Sequence, residues 1–307
     1  MEPRKLRSKL IQEEALRIGF DACGISKVKF LEQEARDLEQ FLKEKRQGTM
    51  YWLENHFDKR VNPALLVDGA QSVISVLANY KPSAEHKQPE DMSNISTYAW
   101  GRDYHLVLKE KLQELMHFIE ANYGHNTYRI FVDSAPVMDK AWAKESGLGW
   151  IGKHTNLIRK GVGSWFFIAE IIIDLDLEPD SPVTDHCGTC TKCIDACPTE
   201  ALQPYQIDAS KCISYLTIEL KDSIPEQYQN KLGDWAFGCD ICQQVCPWNS
   251  FSISHTSNWF SPLPFIQELN REDWRHLSEK EIKKLTKDSP LSRVKPGRLK
   301  NHILSFD

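Results

Sequence analysis

The 307-residue sequence predicts an α+β protein in three parts: an amino-terminal α/β-layer domain over 1–177, a cysteine-rich domain over 178–250 and a short basic helical tail over 251–307. Three observations predict it. Helical and strand periodicities alternate through the first part. The acidic, proline-containing stretch Glu178–Asp185 ends that alternation. Eight of the nine cysteines then fall between Cys187 and Cys246. Amphipathic helices laid on buried strands bury one core, and a chain of this length holds more than one such unit.

The elements follow in order. Arg4–Ile18 sets Leu6, Leu10 and Ile18 near one helical face, and Gly19 stops it. Phe20–Ser26 reads as a short strand. Phe30–Arg46 reads as a charged amphipathic helix closed by Gly48. Ser72–Tyr80 (SVISVLANY) is a buried strand, and the polar Lys81–Asn94 a loop. Leu106–Asn122 places Leu108, Leu112, Leu115, Met116 and Ile119 on one side of a helix. Tyr128–Val132 is a strand, Met138–Ser146 a helix, and Trp165–Asp174 a long buried strand.

Composition narrows the function classes. Hydrophobic residues at 41% and charged residues at 26% exclude wholesale disorder. The most apolar stretch, Trp165–Ile173, is interrupted by Glu170 and falls short of the ~18 apolar residues of a membrane span. The start MEPRKLRSKL shows neither an apolar signal core nor a twin arginine, so a cytoplasmic protein without membrane attachment is expected. The net charge of −5 hides a basic carboxy-terminal stretch, with ten Lys/Arg against six Asp/Glu from Arg271 onward. That asymmetry permits a local nucleic-acid face.

The cysteines carry the chemistry. Cys187, Cys190, Cys193 and Cys197 spell C-x2-C-x2-C-x3-C, followed by Pro198. This is the bacterial ferredoxin run, in which the fourth cysteine reaches the other cluster. Cys239, Cys242 and Cys246, followed by Pro247, repeat it without its first member, and Cys212 upstream replaces that member. Two 4Fe–4S sites result: Cys187, Cys190, Cys193 with Cys246, and Cys197, Cys212, Cys239 with Cys242. Three cysteines at successive x2 spacings crowd a single tetrahedral zinc, and a disulfide lattice conflicts with a reducing compartment. Cys23, in an apolar strand, reads as an inert buried thiol. Gly147-Leu-Gly149-Trp-Ile-Gly152 has the bare spacing of a dinucleotide loop but follows a helical pattern rather than a strand.

Further stretches identify a family. They are Tyr98-Ala-Trp-Gly-Arg-Asp-Tyr-His105, Val132-Asp-Ser-Ala-Pro136, Gly147-Leu-Gly-Trp-Ile-Gly-Lys-His154, Cys212-Ile-Ser-Tyr-Leu-Thr-Ile-Glu-Leu220 and Cys246-Pro-Trp-Asn249. In this order, from Arg4 to about His302, the chain resembles the epoxyqueuosine reductases, cobalamin-dependent iron–sulfur enzymes of tRNA queuosine synthesis. The resemblance implies that the layered domain binds cobalamin. It implies loss of the epoxide oxygen of epoxyqueuosine in the tRNA anticodon loop, with two electrons and two protons consumed. The clusters, fed by a low-potential electron donor, would reduce cob(II)alamin to cob(I)alamin, and Asp133 would be the proton donor. Read from residues alone, Asp133 is first of all an N-cap of the following helix; the resemblance reverses that weighting.

The same resemblance places Arg60, Gly152, Lys153, His154, Leu157, Ile168 and Ser214, with Asp133, around the corrin. Tyr104 and His105 become pocket neighbours, while Asp103 caps a helix. No D-x-H-x-x-G motif is present, so cobalt without a histidine ligand is expected. An anticodon loop offers unstacked bases, and Lys221, Lys283, Lys284, Lys287 and Arg298 are the basic residues expected to meet tRNA. Arg293, Lys295 and Lys300 belong to the same basic segment. Longer members of the family continue into helical repeats, which would begin near Arg298–Asn301. A monomer is expected. Two other functions remain open at this point: another cobalamin and iron–sulfur reductase of the reductive dehalogenase class, and a ferredoxin-type electron carrier without catalysis.

Overall fold

Four strands organise the amino-terminal part. In this computed structural model, which describes residues 3–255 and 257–305, the elements begin with α1 (Pro3–Ile18), β1 (Ala22–Lys27), α2 (Glu32–Lys43), α3 (Phe57–Val61), β2 (Ser72–Asn79) and β3 (Asn94–Ile95). They continue with α4 (Tyr104–Tyr123), β4 (Tyr128–Phe131), α5 (Asp139–Glu145), the hairpin strands β5 (Trp150–Ile151) and β6 (Leu157–Ile158), and β7 (Phe166–Ile173). The expected parts 1–177 and 251–307 thus include positions 1, 2, 256, 306 and 307 that lie outside the described residues.

The main sheet has the order β1-β2-β7-β4 and is antiparallel throughout. The alternation of helices and strands therefore builds an α+β layer without parallel crossovers. Helices cover both faces. Ile11 and Ala15 of α1 and Leu108, Leu112, Leu115, Met116 and Ile119 of α4 pack on Val76, Ala78, Ile171 and Ile173. On the other face, Trp142 of α5 packs with Val73, Phe131 and Ile172. Burial on both faces explains why β2 and β7 read as continuous apolar runs rather than alternating ones. It also makes the single charged residue within β7, Glu170, wholly buried.

Glu178–Asp185 has no regular structure, but its first residues are tied down. Glu178 accepts from Arg4 Nε at 2.7 Å, and Asp180 accepts from Gln12 Nε2 at 2.7 Å and from the Ile25 amide at 2.8 Å. The cysteine region that follows has only short elements: α6 (Lys192–Asp195), β8 (Leu202–Gln203), β9 (Gln206–Ile207), α7 (Glu226–Gln229), β10 (Trp235–Phe237) and α8 (Ile241–Gln244).

The carboxy-terminal stretch forms α9 (Pro264–Glu268), α10 (Arg271–His276), α11 (Glu279–Leu285) and α12 (Pro296–Leu304). These helices are more than a basic tail. Trp274, Ile282, Leu299 and Ile303 share a second core with Ile95, Ala99 and Phe237. The expected loop Lys81–Asn94 accordingly ends in β3, which pairs in parallel with β10. Among the described residues, no helix is long and apolar enough to cross a membrane.

Candidate cofactor and catalytic site

The two cysteine runs fold alike. Each places one cysteine on a helical turn, Cys193 on α6 and Cys242 on α8. The residues closing these turns, Ala196 and Val245, share φ −83° and ψ −8°, and the two turns pack together. The first group rings a cavity of about 260 Å³ lined by Cys187, Cys190, Cys193 and Cys246. Burial, then the charge of Cys246, Cys187 and Cys190, pushes the Cys193 thiol up to about 11. In the second group, burial, then Cys212 and Cys197, pushes Cys239 up to about 12. Cys242 is likewise raised by burial, then by Cys212 and Cys239. Cys187, Cys190, Cys193 and Cys246 thus border one cavity, while Cys242 faces Cys212 and Cys239 and also Cys193 of the first run.

These donors fit iron–sulfur cubanes. Among the described residues, no three His, Cys, Asp or Glu side chains converge on a single ion, whereas a cubane takes one thiolate per iron and needs a space between them. Crowded thiols held protonated lose their protons to solvent when they bind a cationic centre. Two buried N–H groups lie beside the first thiol group: Trp150 Nε1, packed with Cys187 and Cys246, and His154 Nε2, which lines the cavity without a paired acceptor. The His154 Nδ1 accepts from the Asn156 amide at 3.1 Å, so the ring proton sits on Nε2. Burial lowers this imidazole to about 4, keeping it neutral. Neutral N–H donors suit the anionic sulfurs of a cluster.

Asp133 follows β4 in a left-handed turn with φ +52°, a conformation few non-glycine residues adopt. It is not a helix N-cap, since Met138 precedes α5. Tyr104 Oη donates to Asp133 Oδ2 at 2.5 Å, and His105 Nε2 stands 3.8 Å from that oxygen. Asp103 caps α4 and also accepts from His105 Nδ1 at 2.7 Å. Tyr104 is sandwiched between His105 and Phe167, with ring centroids at 4.1 and 4.3 Å. The α4 start therefore delivers two side chains, Tyr104 and His105, to one carboxyl, with Asp103 holding His105.

Asp133 stands where two cavities adjoin, of about 850 and 530 Å³; Arg60, Tyr98 and Tyr104 line both with it. The larger also meets Cys212, Ser214 and the π-helical turn Tyr215–Glu219. The smaller has an apolar wall of Leu157, Phe166, Phe167 and Ile168. Cys212 thus belongs both to the second thiol group and to the wall beside Asp133. A large ligand with an apolar face and few polar anchors fits this space.

The structure distributes the expected cofactor contacts over three places. Arg60, Asp133, Leu157, Ile168 and Ser214 line the paired cavities. Lys153 and His154 instead line the first thiol cavity, where Lys153 Nζ donates to the carbonyls of Gly188 and Cys190 at 2.7 and 3.0 Å. Gly152 sits in the β5–β6 turn, where a Cβ would come within 2.4 Å of Ile158. Lys221 and Arg298 border a separate polar groove of about 930 Å³. Lys283, Lys284 and Lys287 are exposed on and just after α11.

Asp139, Lys140 and Asp240 had no site signal in the sequence, and Arg293 had one only as a basic residue expected to meet tRNA. Arg293 reaches the larger cavity and pairs with Glu219 at 2.6 and 3.0 Å. Asp139 and Lys140 line the smaller one. Asp240, between two cysteines, accepts from Ser96 Oγ and from the Thr97 amide and hydroxyl. It thereby ties the Tyr98–His105 stretch to the second cysteine run.

Comparison with known proteins gives a consistent result. Residues 60–134 match the family described as "Epoxyqueuosine reductase QueG, DUF1730", and residues 186–249 match the 4Fe–4S double cluster binding domain. The epoxyqueuosine reductase of Cellulophaga algicola is 55% identical over 304 residues, covering 99% of each chain. A crystal structure of epoxyqueuosine reductase with a tRNA-Tyr epoxyqueuosine-modified stem loop superposes with a TM-score of 0.88 at 29% identity, covering 96% of this chain and 79% of that one. The Bacillus subtilis epoxyqueuosine reductase, solved with its catalytic aspartate loop swung out of the active site, superposes at 0.86 with the same identity and coverage. This chain belongs to the epoxyqueuosine reductase family.

Proposed function

We propose that this chain reduces epoxyqueuosine to queuosine in the anticodon loop of tRNA, with Asp133 as proton donor. One observation carries the reading: Asp133 projects at the junction of two cavities, the larger of which is also lined by Cys212. A proton source and the inner thiol group therefore meet in one space large enough for a cofactor and a base. Family membership selects this reaction over dehalogenation and over electron carriage alone.

A corrin bound in the paired cavities supplies the strongly reducing centre that opens the epoxide, with electrons passed from the two iron–sulfur clusters. Arg60, Leu157, Ile168 and Ser214 hold that cofactor. Gly152, Lys153 and His154 form the turn between it and the outer thiol group. No histidine ligand to cobalt is assigned. Tyr104 orients the Asp133 carboxyl by its hydrogen bond. The proton then moves from Asp133 to the departing oxygen, which leaves as water after a second protonation. The exposed position of the Asp133 side chain, 63% accessible, lets solvent restore its proton.

Residues 1–177 act as the cobalamin-binding unit and 178–250 as the two-cluster unit. The chain works as a monomer in the cytoplasm, with a low-potential electron donor. The tRNA lies across Lys221 and Arg298 and along Lys283, Lys284 and Lys287. Reversing the charge of the last three is expected to weaken tRNA binding on the order of tenfold at moderate salt and to flatten its salt dependence. Unchanged affinity in a filter-binding titration removes this segment from the footprint. For the reaction itself, the reconstituted protein is expected to convert epoxyqueuosine to queuosine in tRNA, read by nucleoside mass spectrometry. A fully loaded protein that leaves epoxyqueuosine intact overturns the assignment.

A further inference from the structure

Beneath the Asp133 turn lies a pair of carboxyl groups that the proposed reaction does not use. Glu170 is wholly buried at the centre of β7, and its register partner on β4 is Phe131, two residues before Asp133. Asp139 opens α5 on the same side of the sheet. Neither Glu170 oxygen has a hydrogen-bond donor among the described residues, nor has Asp139 Oδ1. The two carboxyls are within hydrogen-bond reach of each other. The Asp133 backbone lies close enough to the Asp139 carboxyl to act on its charge.

Ionised carboxylates only accept hydrogen bonds. Two of them in contact without a donor repel, whereas one proton between them makes a bond. We infer that Asp139 and Glu170 share one proton and that the resulting acid–carboxylate bond fixes Asp139 so that it holds the Asp133 backbone in its left-handed turn. Both are positioning residues. The turn is strained, and strained turns persist where the surroundings over-determine them. The Ser134 amide bonds to the Val132 carbonyl at 2.5 Å, so the turn itself closes tightly beside Asp139.

The electrostatics agree in direction. Burial pushes Asp139 up to about 6, with Asp133 raising it further. Burial, then Asp139 and Asp133, raises Glu170 well above the usual carboxyl range. The cations near Asp139 are Arg60 on α3 and Lys140 on α5. Because these folded-state values lie above the unfolded ones, the pair stabilises the fold while protonated. That contribution declines as pH rises from the ordinary carboxyl range through about 6 and beyond.

The proton itself is independent of the reductase reading, whereas its effect on turnover rests on that reading. Infrared difference spectra of the intact protein at pH 7, wild type minus Glu170→Gln, are expected to show a protonated carboxyl stretch that the variant lacks. Glu170→Gln supplies a permanent donor to Asp139, so it keeps wild-type turnover and holds it, with its melting temperature, to higher pH than the wild type does. Asp139→Ala removes the carboxyl beside the Asp133 backbone from a position facing the cavity. It is expected to lower kcat about 10²-fold through misplacement of Asp133, with KM and iron content unchanged. Absence of the carboxyl band in the wild type overturns the shared proton. Unchanged kcat in Asp139→Ala, in protein that turns over its substrate, overturns the positioning role.

Discussion

Replacing Asp133 with asparagine is expected to lower kcat by about 10²–10⁴-fold, the range typical for loss of a general acid. KM, corrinoid content and iron content should stay at wild-type values. Asparagine is the informative replacement for two reasons. It tolerates the left-handed conformation at φ +52°, so the turn is kept. Its carbonyl still accepts from Tyr104 Oη, which lies 2.5 Å from Asp133 Oδ2. What it lacks is a transferable carboxyl proton. Alanine would confound that loss with turn strain and an unpaired tyrosine hydroxyl. Steady-state turnover of modified tRNA, measured beside the visible spectrum and iron content, separates these effects. Wild-type kcat in Asp133→Asn removes Asp133 as the donor.

The second large effect concerns Cys212. Its thiol is raised by burial and by Cys197, and the same residue lines the cavity beside Asp133. Cys212→Ala is expected to reduce bound iron to about half, since only the group Cys187, Cys190, Cys193 and Cys246 remains complete. Turnover should fall below detection with any reductant, because the missing centre is the one nearest the reaction. Electron paramagnetic resonance of the reduced variant should retain the outer cluster signal. Full iron content with normal turnover would dissociate Cys212 from the inner site.

Much of this was legible in the sequence because the relevant signals are local. Helical spacing of Leu108, Leu112, Leu115, Met116 and Ile119 produced α4, and the unbroken apolar runs produced β2 and β7. The x2 and x3 cysteine spacings gave the two-cluster domain over 186–249, because short turns bring successive sulfurs together. Signals that depend on the third dimension were not legible. Glu170 looked like a mere interruption of an apolar run; its meaning comes from Asp139, 31 positions away and brought against it by α5. Lys153 and His154 share a motif with Leu157, yet the β5–β6 hairpin turns them to the thiol cavity and Leu157 to the paired one. The basic charge of the last segment was visible, but not the core it builds around Trp274 with residues nearly two hundred positions earlier.

The most direct test of the account is a single reaction series on tRNA carrying epoxyqueuosine, analysed by nucleoside mass spectrometry. The protein is reconstituted with both clusters and supplied with a low-potential reductant, with and without cobalamin. The account predicts queuosine in the complete mixture, none without cobalamin and none without reductant. Queuosine formed at an equal rate without cobalamin, by protein shown to be free of corrinoid, would contradict it.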